Sequence, residues 1–200
     1  MSSPINSSPI PSSRVYNLPN ALTAIRIVAI PAVVALVYGR NTAWNDFWAA
    51  ALFGFAFWTD FFDGMIARRT KTITRLGKIM DPMADKLLVL AALLMLIHLH
   101  RVQVITAILL LSREIAVSGL RSLAGSEGIF IPSILSAKIK TWLEGFAIAF
   151  LLLGPENRWL GIEWMELGGV LLYAALALAL WSAAIYFRNY YEGTVSDAAA

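Results

Sequence analysis

Asp60, Asp63, Asp81 and Asp85 are four of the six aspartates in the 200-residue chain, and they fall within 26 positions, inside or against long apolar runs. A charged carboxylate at the middle of a bilayer costs about 2.5–3.5 kcal/mol on insertion scales, so such residues are rarely idle. At about 100° per residue, Asp60, Asp63, Gly64 and Ala67 share one face of a helix. Gly77, Asp81 and Asp85 recur at i, i+4 and i+8 and share a face of the next. A short loop between these helices makes them antiparallel neighbours, with two carboxylates opposite two others. Four carboxylates alone repel, and some are driven to protonate. Divalent cations resolve this: hard oxygen donors suit Mg²⁺ or Mn²⁺, and four formal negative charges match two such ions.

The elements that must position these acids are apolar helices. The chain is 58% hydrophobic and 14% charged, with a mean hydropathy of +0.68. A soluble domain carries about 25% charge. Apolar runs of roughly 20 residues recur, the length that crosses about 30 Å of hydrocarbon. The expected architecture is therefore all-α: a polytopic membrane protein with six transmembrane helices, at about 21–39, 44–69, from between 77 and 81 to 99, 102–123, 133–153 and 169–187. Pro31 is a tolerated kink, and Pro82 is expected in a first helical turn, where its missing N–H costs nothing. Residues 1–16 are expected to be a disordered Ser/Pro-rich tail, 17–190 the six-helix catalytic domain and 191–200 a C-terminal tail. No cleavable signal peptide is apparent. The absence of cysteine excludes disulfides, thiolate metal ligands and a catalytic thiol.

Charge asymmetry orients the helices. With the N-terminus inside, only Arg40, Arg101 and Arg158 of the 16 basic residues lie near the outer side. Tyr38, Trp44, Trp48, Trp159 and Trp164 mark an outer aromatic belt, and Tyr186, Tyr190 and Tyr191 an inner one. The acids then open toward the cytoplasm.

Arg68 sits beside the carboxylates, and Arg113, Arg121, Lys138 and Lys140 lie at the inner ends of other helices. Divalent metals combined with guanidinium and ammonium groups suit phosphates on two substrates, the arrangement of phosphoryl transfer. Blander readings stand beside this one. The aspartates would bridge structurally to Arg68 and Lys86, and Arg113 and Glu114 would form a structural pair. Arg121, Lys138 and Lys140 would be positive-inside markers, and Arg26 would snorkel to the interface instead of binding an anion. His98 and His100, at the far end, read as interface residues. Arg69, Lys71, Arg75 and Lys78 read as loop charges facing lipid headgroups.

The pattern Asp60-x2-Asp63-Gly64-x2-Ala67-Arg68-x8-Gly77-x3-Asp81-x3-Asp85 resembles the CDP-alcohol phosphotransferase signature at every fixed residue and spacing. The resemblance implies that fold: a homodimer with six transmembrane helices and a dimetal site open to the bilayer on the cytoplasmic side. It implies that Asp60, Asp63 and Asp81 bind metal. Asp85 is implied as general base and as a fourth metal contact. Gly64, Ala67, Arg68 and Gly77 are implied to hold the CDP moiety of CDP-diacylglycerol, with Asn20 and Thr23 assigned to the same substrate.

The resemblance extends to the segments 17–26, 81–86, 113–121 and 138–141, which look like the bacterial phosphatidylglycerophosphate synthase branch. Ala137 departs from the glycine expected there, which bears on helix packing. Ser122 stands where this branch often carries an acid. The branch implies transfer of a phosphatidyl group from CDP-diacylglycerol to glycerol 3-phosphate, with Arg113, Arg121, Lys138 and Lys140 holding the acceptor phosphate. It also implies the bacterial inner membrane, membrane lipids as surroundings and no nucleic acid partner. Two alternatives remain at this level. One is a phosphatidylinositol-phosphate-type synthase, whose acceptor also carries a phosphate. The other is a divalent-cation transporter, which explains the acids but not Gly64, Ala67, Arg68, Gly77 or the basic residues.

Overall fold

The computed structural model describes residues 18–39, 42–70, 75–128, 134–158 and 161–198; for 18–24, 60–70, 75–82, 85 and 193–198 it describes the backbone only. Among the described residues six helices follow one another: α1 (Leu18–Gly39), α2 (Ala43–Thr70), α3 (Arg75–His98), α4 (Val104–Ser126), α5 (Leu135–Leu153) and α6 (Trp164–Ala198). Their number and order are those expected. The stretch Trp164–Glu192 of α6, 29 residues whose most apolar 18 average a hydropathy of 2.1, is long and apolar enough to cross a membrane. Large apolar side chains lie on outer faces of the other helices too, among them Val28, Phe55, Leu94, Ile115 and Leu135. Ile115 is 71% exposed. Apolar exposure on this scale is unusual for a soluble monomer.

The core runs through the bundle on stripes of three- and four-residue spacing: Ala29, Val33 and Val37 on α1, Ala49, Phe53 and Ala56 on α2, Leu88, Ala92 and Leu96 on α3, and Ile148 and Leu152 on α5. Many of these are alanines, whose small side chains let neighbouring helix backbones approach closely. Gly145 on α5 serves the same end, because a Cβ there would overlap the Phe57 ring of α2. At Gly168 a Cβ would lie 2.9 Å from Leu151 N and 3.0 Å from Ala147 O. α5 and α6 share the most extensive interface; α1 packs on α2 and α3, α2 also on α5, and α4 on α6.

A polar latch closes the end remote from the acidic motif. The turn after α3 brings His100 to φ 57°, with His100 N–H donating to Ile97 O at 3.0 Å and Arg101 N–H to Leu96 O at 2.9 Å. Arg101 then reaches the Asp46 carboxylate at 2.5 Å and the Leu151 and Leu152 carbonyls at 3.1 and 3.0 Å. Those carbonyls are among the last four of α5, which have no partner within the helix. Asn157 Nδ2 donates to Leu153 O at 2.6 Å and to Ala43 O at 3.0 Å, so α2, α5 and the turn after α3 are joined there.

Several local expectations differ from the structure. α3 begins at Arg75, so Pro82 is the eighth residue of the helix and not in its first turn. There it leaves the Lys78 carbonyl without its usual helical donor. α6 starts before the expected span and runs on to Ala198, through residues read as a tail. Arg188 Nε donates to Glu192 Oε1 at 2.7 Å one turn on, and Tyr190 Oη to Glu127 Oε2 at 2.7 Å. Such pairs carry a helix past the end of its apolar run. Tyr186 is no belt residue: it is buried among Val117, Leu120 and Ala124, and its Oη accepts from Ile134 N at 3.2 Å. Arg26 is 1% exposed and does not snorkel. Residues 1–17, including the expected tail, and Trp159 lie outside the described residues.

Candidate active site

The aspartates occupy the facing ends of two consecutive helices. Asp60, Asp63, Gly64, Ala67 and Arg68 lie on the last turns of α2, and Gly77, Asp81 and Asp85 on the first turns of α3. Asn20 and Thr23 lie on the first turns of α1. The side chains of these ten residues fall outside the described set, so their roles rest on the sequence and on backbone position.

What stands next to them is described in full. A cavity of about 240 Å³ opens between four helices, lined by Phe57 of α2, Lys86 and Leu90 of α3, Glu114 of α4, and Lys140 and Glu144 of α5, with apolar neighbours. Phe57 precedes Asp60 by three residues and Lys86 follows Asp85 directly. At ~1.5 Å rise per residue, the acidic backbone positions begin within one helical turn of the cavity wall.

The wall is built by exchanging apolar for charged residues on otherwise buried stripes. On α5, Lys140 and Glu144 continue the line of Ile148 and Leu152. On α4, Arg113 sits between Leu110 and Val117. Charges buried this way must be paired and hydrogen-bonded. Arg113 Nε donates to Ala179 O at 3.0 Å, its Nη2 to Ser182 Oγ at 2.6 Å and its Nη1 to Glu114 Oε1 at 2.6 Å. Lys140 Nζ donates to the same Glu114 oxygen at 2.6 Å and also to Glu144 Oε2. Lys140 is 1% exposed. Lys86 Nζ donates to Ser118 Oγ of α4. Arg113, Glu114, Lys140 and Glu144 thus form one alternating chain of charge across α4 and α5, tied to α6 through Ala179 O and Ser182 Oγ.

Two of the four basic residues assigned to the acceptor phosphate, Arg113 and Lys140, are brought together through Glu114. The other two are not: Arg121 and Lys138 are exposed on α4 and α5. Lys138 precedes Lys140 by two residues, about 200° around the helix. The Arg113–Glu114 pair read as a structural alternative does form, and it extends to Lys140.

Glu144, a charge noted in the fifth span, and Ser118, within the segment 113–121, were given no role from the sequence, and Ser182 was not noted at all. For Glu144 a local signal was available in its i,i+4 spacing from Lys140. For Ser118 and Ser182 no local spacing points to the partner, because the partners are 32 and 69 residues away. A larger cavity of about 630 Å³, lined by His100, Arg101, Gly169 and Tyr173, lies at the opposite end of α3 and does not touch this wall. Among the described residues no group of three or more His, Cys, Asp or Glu is placed to hold a metal ion.

This arrangement joins a paired-acid segment to a wall of paired lysines and glutamates at one end of a helical bundle, so that carboxylates for metal and ammonium groups for phosphate stand near one another, as a reaction between two phosphate-bearing substrates requires. A family model described as CDP-alcohol phosphatidyltransferase matches residues 16–181. A protein of Rickettsia typhi (strain ATCC VR-144 / Wilmington), named CDP-diacylglycerol–glycerol-3-phosphate 3-phosphatidyltransferase, is 40% identical over 173 residues, 86% of this chain and 96% of its own length. An Escherichia coli (strain K12) protein of the same name is 37% identical over 172 residues, 84% of this chain and 91% of its own. A model match across most of the chain, together with full-length relatives at this identity, identifies the chain as a member of the CDP-alcohol phosphatidyltransferase family.

Proposed function

We infer that this protein transfers the phosphatidyl group of CDP-diacylglycerol to glycerol 3-phosphate, releasing CMP and leaving phosphatidylglycerol phosphate in the membrane. The observation that carries this reading is the cavity wall. Lys86 and Lys140 line a pocket whose backbone neighbours are the motif aspartates, in a chain whose full-length relatives bear that name.

In the reaction, the primary hydroxyl of the acceptor attacks the β-phosphorus of the lipid. A new oxygen–phosphorus bond forms as the bond from that phosphorus to the bridging oxygen breaks, and CMP leaves with the electron pair. Asp85 takes the hydroxyl proton. Gly64, Ala67, Arg68 and Gly77, with Asn20 and Thr23, hold the CDP moiety; the missing or small side chains at 64, 67 and 77 let it lie against the helices. On the acceptor side, Lys140 meets the phosphate from the cavity wall, and Arg113 sets its position through Glu114. Arg121 and Lys138, exposed at the inner end, draw in and hold the dianion.

Asp60, Asp63, Asp81 and Asp85 offer only hard carboxylate oxygens, a donor set that fits two Mg²⁺ or Mn²⁺ ions. When bound, such ions polarise the pyrophosphate and neutralise charge on the departing CMP. Six spans, a cytoplasmic site and N-terminus in the bacterial inner membrane, and a homodimer complete the proposal. The clustering of basic residues at the inner helix ends supports the orientation.

Asp85→Asn tests the site. The purified variant should keep the thermal stability of the wild type and lose CMP release from CDP-diacylglycerol by ~10³-fold or more, within the range expected of general-base loss plus a perturbed metal site. Substantial turnover in the folded variant would overturn the base assignment.

A further inference from the structure

Glu144 carries an atom that the reading above leaves unused. One carboxylate oxygen, Oε2, accepts from Lys140, while the other, Oε1, is buried and has no hydrogen-bond partner among the described residues. The residue as a whole is 4% exposed and lines the 240 Å³ cavity. A buried acceptor without a donor is costly, so an oxygen held in that state beside a cavity is set to meet a donor that enters it.

The chemistry of that donor is restricted. An ionised carboxylate accepts only, so it repels a phosphate and pairs with N–H or O–H. Lys140 already divides its ammonium between Glu114 and Glu144, and Lys86 is directed to Ser118. Glycerol 3-phosphate brings two O–H donors. Its primary hydroxyl is consumed by the attack on phosphorus, which leaves the secondary hydroxyl at C2. Lys140 Nζ and the Glu144 carboxylate are in direct contact, so a phosphate on that ammonium leaves the adjoining carbons, and with them the C2 hydroxyl, within reach of Glu144.

Resting on the function inferred above, we propose that Glu144 Oε1 accepts a hydrogen bond from the secondary hydroxyl of the acceptor and is thereby a specificity-determining residue. A site built to satisfy a buried polar group with a substrate hydroxyl rejects the analogue that lacks it. Glu144 also positions Lys140, but that second role affects any acceptor phosphate equally and therefore does not discriminate.

The test compares glycerol 3-phosphate with 3-hydroxypropyl phosphate, which differs only in lacking the C2 hydroxyl, by CMP release from CDP-diacylglycerol with Mg²⁺ present. The wild type should prefer glycerol 3-phosphate by ~10-fold or more in kcat/KM. Glu144→Leu should bring that ratio to within about twofold, and Glu144→Gln, whose amide oxygen still accepts, should restore most of it. A wild type that uses both acceptors equally overturns the proposal without recourse to any variant, and so does a Glu144→Leu protein that keeps the wild-type ratio. Failure of the wild type to release CMP with glycerol 3-phosphate, while it does so with serine or inositol phosphate, contradicts the function inferred above, so the two failures are distinct.

Discussion

Lys140 Nζ donates to Glu114 Oε1 across 2.6 Å, and this contact ties α5 to α4 at the wall of the cavity. Lys140 is the more deeply buried partner and is shared with Glu144, so its removal strands a buried carboxylate. Lys140→Met should therefore destabilise the protein by about 3 kcal/mol or more, the usual consequence of breaking a buried pair on one side. Lys140→Met with Glu144→Leu should recover a large part of that loss, because both charges are gone. Thermal unfolding in detergent of the two single variants and the double variant measures the coupling. Both proteins containing Lys140→Met should show a raised KM for glycerol 3-phosphate, with the KM for CDP-diacylglycerol close to wild type.

The α4–α6 interface depends on Arg113. Its guanidinium binds Ala179 O and Ser182 Oγ, both buried on α6. Ser182→Ala should cost about 1.5–3 kcal/mol, the net value of a hydrogen bond to a charged group, and Arg113→Lys more, because an ammonium cannot span the three acceptors. Hydrogen exchange in α6 residues around Ser182 should rise in both variants.

At the opposite end, Gly154 has φ +74°, and a Cβ on it would lie 2.7 Å from Arg101 Nη2 and hard against Asp46 Oδ2. Gly154→Ala should lower the unfolding temperature through backbone strain of about 1–2 kcal/mol plus displacement of the Asp46–Arg101 pair. Because this latch is remote from the aspartates, kcat per folded molecule should stay within about twofold of wild type. Activity normalised to the folded fraction separates the two effects.

Gly145 faces the Phe57 ring, one turn from Asp60 on α2. Gly145→Val should push α2 away from α5 and reduce CMP release by ~10-fold or more, since small displacements of reacting groups carry large rate effects. Phe57→Ala in the same chain should return much of the activity by making room for the new side chain. The double variant against both singles is the measurement.

Most of the helical frame was legible from apolar run length, because a helix of about 20 apolar residues announces itself by composition alone. The misplaced boundaries were at α3 and α6. Residues 75–78 are polar enough to read as the end of a loop, and residues 188–198 have no apolar run, although pairs such as Arg188–Glu192 sustain the helix. Tyr186 could not be told from an interfacial tyrosine, because its partner Ile134 lies 52 residues away, just before α5. The reaction class was legible in the spacing of eight motif residues. The wall beside them was only half legible: Arg113, Glu114 and Lys140 stood out as charges in apolar runs. Their mutual pairing, and the partners Ser182 and Ser118, are tertiary facts that no local spacing encodes.

Release of CMP by the purified protein, given CDP-diacylglycerol, Mg²⁺ or Mn²⁺ and a panel of glycerol 3-phosphate, serine, inositol and inositol phosphate, tests the central claim most directly. The account predicts that glycerol 3-phosphate is used at least ~10-fold better than any other member and that chelation of the metal abolishes the release. Preference for serine or inositol phosphate, or metal uptake into vesicles without CMP release, would contradict it.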